Sequence, residues 1–161
     1  MVTVPNQDPV TIDEPSCLLV NAGGERFGIL ASRVIRLLRE VTIHPIPGAE
    51  PPLLGLGQYG GEPLAVLDLQ ELVGRTNSAA GHRVVVLIAA GRRVGREMIG
   101  LAVDEADRLT MLDEIERSDA ATPPLIGWIE RDGHRVGIVD PSLITNPDVS
   151  ADPRSGAGER R

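Results

Sequence analysis

Short apolar runs separated by glycine and proline turns make up most of the hydrophobic pattern of this chain. The segment CLLVNAGGERFGIL places two such runs around a Gly-Gly turn, and HRVVVLIAAG followed by EMIGLAVDEADRL gives two more. Apolar runs of about four to eight residues that are bounded by turn residues are typical of strands. The pattern therefore predicts a mainly β chain built as small barrels.

The chain repeats itself at one constant offset, which places residue 51 on residue 123 and residue 27 on residue 99. The segment PPLLGLGQYGGEPLAVLD at 51–68 aligns with PPLIGWIERDGHRVGIVD at 123–140, and FGILASRVIRL at 27–37 aligns with IGLAVDEADRL at 99–109. A single offset that relates two separate blocks indicates two copies of one supersecondary unit.

Short helices are predicted at a few places between the strands. Ser32 is placed to cap a helix that runs through Arg39, because apolar residues recur there at helical spacing. The equivalent residues Asp68 and Asp140 each precede a short helical segment, so N-caps are expected there rather than a pair of catalytic carboxylates. The linker TMLDEIERSDAATPP is expected to be partly helical. The apolar positions of the first helix would be Val34, Ile35, Leu37 and Leu38.

The stretch GLGQYGG at 55–61 fits the G-x-G-x-x-G fingerprint of a dinucleotide-binding turn. That use requires a strand before the glycines and a helix after them. The following residues, GEPLAVLDL, predict a strand instead, and the second copy has WIERD where this motif would recur. We therefore expect a hairpin without nucleotide affinity, bracketed by Gly55 and Gly61 as its counterpart is by Gly127 and Gly133.

The composition excludes several classes of protein. A net charge of −7 and an aromatic content of 2% disfavour nucleic acid, which requires a basic face or stacking side chains. No apolar run reaches the roughly 18 residues that cross a membrane, and the start MVTVPNQDPV lacks the features of a signal peptide. Cys17 is the single cysteine, which excludes a disulfide framework. A cytoplasmic protein without direct membrane insertion is expected.

Candidate catalytic groups are sparse. The three histidines, His44, His82 and His134, have no metal-site spacing, so neither a metal nor a cofactor is expected. An enzyme or a small ligand-binding barrel, with a site that distant residues form together, stays open as an alternative. The basic cluster in AAGRRVGRE is interpreted as a solvated hairpin tip, and its members are Arg92, Arg93 and Arg96.

The order of these segments resembles the CheW-like domain of bacterial chemosensory systems over residues 17–145. The resemblance lies in LLVNAGGERFGI followed by V-I-R-L, in I-x-x-I-P-G from Ile43 to Gly48, in the stretch from Gly55 to Leu69, and in GLAVDEA. It implies two small SH3-like five-stranded β-barrels packed side by side, with short helices. Segments 1–16 and 146–161 are expected to be mobile tails.

The resemblance also implies what such a chain does. Members of this family are non-enzymatic adaptors of chemosensory signalling. The expected partners are methyl-accepting chemoreceptors, a CheA-like histidine kinase and other CheW-like proteins, and the expected location is cytoplasmic, clustered with chemoreceptors. Catalytic, cofactor-binding and metal residues are therefore expected to be absent.

Two departures from the family pattern concern charge. The pattern V-x-E-I falls on VIRL at 34–37, and N-x-R-G falls on QYGG at 58–61, so an acid is replaced by Arg36 and an arginine by Gly60. Charged groups govern partner choice, so contact with the kinase is expected to be weaker. Drift in a glycine-tolerant loop is the open alternative. The residues expected to contact protein partners are Val34, Arg36, Leu37, Gln58, Tyr59 and Gly60.

Overall fold

The computed structural model describes residues 16–75, 84–90, 97–112, 114–118 and 121–144. The tails expected to be mobile lie almost wholly outside these residues. The helical elements are α1 (Leu69–Leu72) and two 3-10 turns, Ala31–Arg33 and Pro141–Leu143. The strands are β1 (Ser16–Ala22), β2 (Glu25–Leu30), β3 (Val34–Arg39), β4 (Leu53–Tyr59), β5 (Glu62–Asp68), β6 (Val84–Ala90), β7 (Glu97–Val103), β8 (Glu105–Met111), β9 (Glu116–Arg117), β10 (Leu125–Arg131) and β11 (His134–Val139).

The strands form two open sheets, which correspond to the two SH3-like barrels that the resemblance implies and are called the first and the second barrel below. The first barrel has the strand order β8-β1-β2-β11-β10-β9, and the second has the order β3-β6-β7-β5-β4. The first barrel has a sixth strand because the two-residue β9 pairs with β10. At the equivalent place in the second barrel, His44 makes a single bridge to Leu56. The mainly β class and the duplication are therefore confirmed.

The two copies exchange strands, which the sequence did not predict. The first barrel combines β1 and β2 with β8 to β11, whereas the second combines β3 to β5 with β6 and β7. Each barrel is completed by a parallel pair that joins the two halves of the chain, β2 with β11 and β5 with β7. The pairs Gly28–Ile138 and Gly100–Val66 are related by the same offset that relates the two sequence copies.

A shared hydrophobic core holds the barrels side by side. Phe27 and Ile29 from the first barrel and Ile99 and Leu101 from the second belong to one buried cluster. Each barrel also has a smaller core of its own, one around Cys17 and Leu19 and Val136, and another around Leu64, Val66 and Leu87. Large-to-small substitutions in the shared core would therefore weaken both barrels at once.

The helix predicted from Ser32 through Arg39 is wrong. Residues 31–33 form a 3-10 turn without a side-chain cap, and 34–39 form β3, which pairs with β6. The register of β3 against β6 shifts between Val34 and Arg36, and the strand contacts two hydrophobic clusters. Its apolar residues therefore recur at a spacing that resembles that of a helix. Val34 and Leu37 pack against the shared core, whereas Leu38 packs inside the second barrel.

The helix expected in the linker TMLDEIERSDAATPP is also wrong for its described residues. The strand β8 continues to Met111, and β9 occupies 116–117. Strand pairing satisfies the backbone here, because β8 pairs with β1 and β9 with β10. Tertiary pairing thus overrides the local sequence preference.

The two expected N-caps are confirmed. The Asp68 carboxylate accepts a hydrogen bond from the Gln70 N–H at 3.0 Å and begins α1. The Asp140 carboxylate accepts from the backbone N–H and the hydroxyl of Ser142 at 3.0 and 2.8 Å, and it begins a 3-10 turn with Pro141 in its first position. Both aspartates therefore accept hydrogen bonds from backbone N–H groups at equivalent positions of the two copies.

Candidate protein-interaction surface

The structure brings three of the six predicted contact residues to one groove. Arg36 and Leu37 of β3 lie on one side of the groove, and Gln58 of β4 lies on the other. The groove has a volume of about 790 Å³ and follows the seam of the second barrel, meaning the line between its two terminal strands, β3 and β4. The other lining residues are Leu38, Arg39, Glu40, Val41, Thr42, His44, Leu56, Gly57 and Pro63.

The other three predicted residues surround this groove without lining it. Val34 is half-buried against the shared core, and Tyr59 is half-buried against the core of the second barrel. Gly60 is exposed in the turn between β4 and β5. Val34 and Tyr59 therefore position their strands, and the polar surface of the groove comes from their neighbours.

The groove carries more positive than negative charge. Arg36 and Arg39 contribute two guanidinium groups, and Glu40 contributes one carboxylate. Among the described residues, no ion pair or side-chain hydrogen bond involves Arg36, Arg39 or Glu40. The chain as a whole has a net charge of −7, so this groove differs in sign from most of the molecule.

The stretch GLGQYGG has none of the structure that a phosphate loop requires. Its first part is strand β4, its turn has positive φ at Gly60 and Gly61 (61° and 83°), and β5 follows directly. Positive φ at both central residues is the pattern of a tight hairpin turn. Asp132 and Gly133 have the same pattern in the second copy, at 57° and 77°. The hairpin prediction is confirmed.

Sequence reasoning missed a second groove of about 700 Å³ beside the β1–β2 turn in the first barrel. The Arg135 guanidinium lies 4.4 Å from the ring centre of Trp128, and Arg75 forms a 2.9 Å ion pair with Glu25. Arg75 and Arg135 therefore already have partners within the chain, whereas Arg26, which also lines this groove, has no ion pair among the described residues. The single tryptophan was the available signal, because half-buried tryptophan side chains often mark surfaces that contact other molecules.

Sequence reasoning also missed an ion pair between Arg108 and Asp132, whose atoms Nη2 and Oδ2 are 3.0 Å apart. It joins β8, one terminal strand of the first barrel, to the turn between β10 and β11. Next to it, Arg131 of β10 donates a hydrogen bond to the carbonyl oxygen of Met111 in β8. The offset between the two copies relates Arg108 to Arg36 and Asp132 to Gly60, so the first copy has no equivalent charge pair that could have signalled this one.

The remaining candidates do not form a reactive site in the described part of the chain. His44 lies in the segment after β3, and His134 begins β11 with its ring nitrogen 3.0 Å from the Asp132 carbonyl oxygen. The described residues contain no group of three or more side chains that could hold a metal ion. His82, Arg92, Arg93 and Arg96 lie outside the described residues.

The similarity to known proteins extends over the whole domain rather than over a single motif. The family model for the CheW-like domain matches residues 16–148. This chain belongs to the CheW-like family. The solved scaffolding protein TtCheW from Thermoanaerobacter tengcongensis has a similar fold, with a TM-score of 0.65, at 20% sequence identity over 78% of this chain and 88% of that one. No curated protein sequence matches the chain.

Within this CheW-like domain, the described residues include no helix that is long and apolar enough to cross a membrane. The domain presents two open grooves, of which the one along β3 and β4 holds guanidinium groups that are unpaired among the described residues. Such an arrangement suits the binding of another protein better than chemistry on a small substrate, which requires converging reactive groups.

Proposed function

We propose that this CheW-like chain is a non-enzymatic adaptor of a bacterial chemosensory system. It binds chemoreceptors and a CheA-like histidine kinase, joins other CheW-like proteins, and works in the cytoplasm beside clustered receptors. The observation that carries this proposal is the family match over residues 16–148, which spans both barrels.

The contact with the kinase is altered in this chain. Arg36 and Gly60 stand where the family pattern has an acid and an arginine, and the structure has Arg36 exposed on β3 and Gly60 in the next hairpin turn. Losing an arginine from the centre of an interface costs about 2 kcal/mol or more, which corresponds to roughly thirtyfold in affinity. Binding to the kinase is therefore weaker than binding to the receptor.

Titration of the purified chain with the cytoplasmic fragment of a receptor and with the regulatory domain of the kinase, both from the native cell, tests this function. We expect receptor binding in the micromolar range, and kinase binding that Gly60→Arg strengthens by roughly tenfold or more. Gly24→Arg, in the β1–β2 turn of the first barrel, is the control for an arginine added at an exposed turn glycine outside the groove between β3 and β4. Binding of neither partner, together with enrichment of a small metabolite from the cell extract, would instead support a ligand-binding barrel.

A further inference from the structure

The two barrels differ in the acidic partners of one arginine that both copies keep. In the first barrel, Arg108 of β8 forms an ion pair of 3.0 Å with Asp132, in the turn after β10, and one of 3.1 Å with its neighbour Asp107. In the second barrel, the equivalent positions hold Arg36, Gly60 and Ile35, so the arginine is kept and both carboxylates are missing. The internal duplication thus allows the two barrels to be compared. An ion pair links β8 to the β10–β11 turn in the first barrel, and the equivalent residues of the second barrel cannot form one.

The backbone at the two turns is the same, so only the side chain differs. Gly60 has φ of 61° and Asp132 has φ of 57°. A Cβ atom built on Gly60 meets no heavy atom within 4 Å, so space for a side chain exists at that point. The second barrel therefore has room near Gly60 for the carboxylate that it lacks.

The surroundings of Arg36 fit a carboxylate that comes from another molecule. Arg36 and Arg39 face a groove with apolar walls from Leu37, Leu38 and Val41. Among the described residues neither guanidinium group has an ion pair. Both arginines are exposed, so a carboxylate of a partner can reach their guanidinium groups, and an ion pair formed there would weaken as the salt concentration rises.

The shape of the groove fits an extended chain. The strand β3 ends its sheet and pairs with β6 alone, so its outer edge presents backbone groups that an added strand can use. Alternate side chains of an extended segment point the same way, so a segment along β3 would direct every second side chain toward the face of the strand that carries Arg36.

From these observations we infer that the groove between β3 and β4 binds an extended acidic segment of a partner protein, with a carboxylate of that segment on Arg36 in the place that Asp132 occupies beside Arg108. This inference deepens the proposed adaptor function and rests on it. It names the chemistry of the partner segment at the same surface.

Nuclear magnetic resonance titration of the full chain tests the inference, with an end-blocked hexapeptide of alternating valine and glutamate as the probe. We expect shifts confined to residues 36–44 and 56–60, and none along 105–112, where Asp132 already pairs with Arg108. The same peptide with glutamine in place of glutamate should bind about tenfold more weakly, because charge-assisted hydrogen bonds are roughly twice as strong as neutral ones. Equal binding of the two peptides would overturn the inference.

Variants at the two turns sharpen the test. Gly60→Asp should weaken binding of the glutamate peptide by about tenfold, because the new carboxylate occupies Arg36, whereas the matched control Gly60→Asn should change it by about twofold at most. Arg108 also contacts Asp107 at 3.1 Å, so the double variant Asp132→Gly with Asp107→Ile, which copies Gly60 and Ile35 of the second barrel, should release Arg108 and produce additional shifts along 105–112. Unchanged binding by Gly60→Asp would overturn the inference.

The same variants separate this inference from the proposed function. Suppose that the receptor and kinase fragments do not bind the parent chain but the peptide results hold; the adaptor function then fails and the groove chemistry stands. If the fragments bind and Gly60→Asp alters neither fragment nor peptide binding, the function stands and the inference is overturned.

Discussion

Cys17 shows what the interior of a barrel does to a single ionisable residue. It lies on β1 in a small core with Leu19, Ile129 and Val136, and its side chain is fully buried. Burial raises the pKa of the Cys17 thiol from its usual value near 9 to about 11, although the charge of Arg131 opposes this shift. A thiol in this state is a packing residue and a poor nucleophile.

The raised pKa of Cys17 predicts how stability depends on pH. The folded chain holds the thiol proton more tightly than the unfolded chain, so this contribution is complete below about pH 9 and is lost as the pH rises toward 11. We expect the free energy of unfolding to fall by about 2 to 3 kcal/mol across this range through Cys17. Urea unfolding of the parent chain and of Cys17→Ala at several pH values measures it.

The comparison depends on how steeply the unfolding free energy changes with pH rather than on its absolute value. Cys17→Ala is expected to be less stable at pH 8 because it removes buried atoms. Its further loss between pH 9 and 11 should nevertheless be smaller than that of the parent chain. Parallel losses in the two proteins would show that Cys17 does not carry the pH dependence.

At the scale of elements, two glycines decide how closely a neighbouring segment approaches β4 in one barrel and β10 in the other. A Cβ atom on Gly55 of β4 would lie 2.3 Å from the His44 carbonyl oxygen, and one on Gly127 of β10 would lie 2.5 Å from the Glu116 carbonyl oxygen. Backbone hydrogen bonds of 2.8 and 2.9 Å join His44 to Leu56 at this crossing. The repeated glycines of the sequence therefore mark a close approach of backbones.

Alanine at either glycine should destabilise the fold. We expect Gly55→Ala and Gly127→Ala each to cost about 1 to 3 kcal/mol of unfolding free energy, because backbone atoms must move to admit the methyl group. Gly24→Asn is the matched control, since a Cβ there meets nothing within 4 Å and asparagine tolerates positive φ. Urea midpoints at constant m-value give the comparison. A Gly55→Ala protein as stable as this control would refute the close approach.

The elements also show which features could be read from the sequence. The constant offset between the two copies predicted equivalent hairpins, and the caps at Asp68 and Asp140 follow from local chemistry alone. The apolar spacing of β3 suits a helix as well as a bulged strand that contacts two cores, so the choice depends on its pairing with β6. The ion pair of Arg108 with Asp132 joins strands that are distant in the chain, and local patterns carry no information on such contacts.

At the scale of the whole molecule, the exchange of strands makes the two halves of the chain interdependent. Neither half contains all the strands of one barrel, because the pairs β2–β11 and β5–β7 each join residues before 76 to residues after 83. The shared core likewise draws side chains from both halves. The repeat unit of the sequence and the folding unit of the structure are therefore different.

Division of the chain within residues 76–83 should give two fragments that fold only together. We expect each fragment alone to lack a cooperative thermal transition, because each would leave terminal strands and core residues exposed. An equimolar mixture should recover strand content by circular dichroism, and should also bind the receptor fragment if the adaptor proposal is correct. A fragment that unfolds cooperatively by itself would show that the exchange of strands is not required for folding.

The parallel pair of β2 with β11 has a further consequence while the protein is being made. Arg26 is paired with Val136, so most of the chain must be synthesised after β2 before its partner strand exists. At about 5 to 20 residues per second, the ribosome needs roughly 5 to 20 s to synthesise that stretch. During this interval β2 has an unsatisfied edge, and such edges recruit other chains. Chaperones that shield nascent strands are therefore expected to raise the yield of this protein more than that of a chain whose barrels close in sequence order.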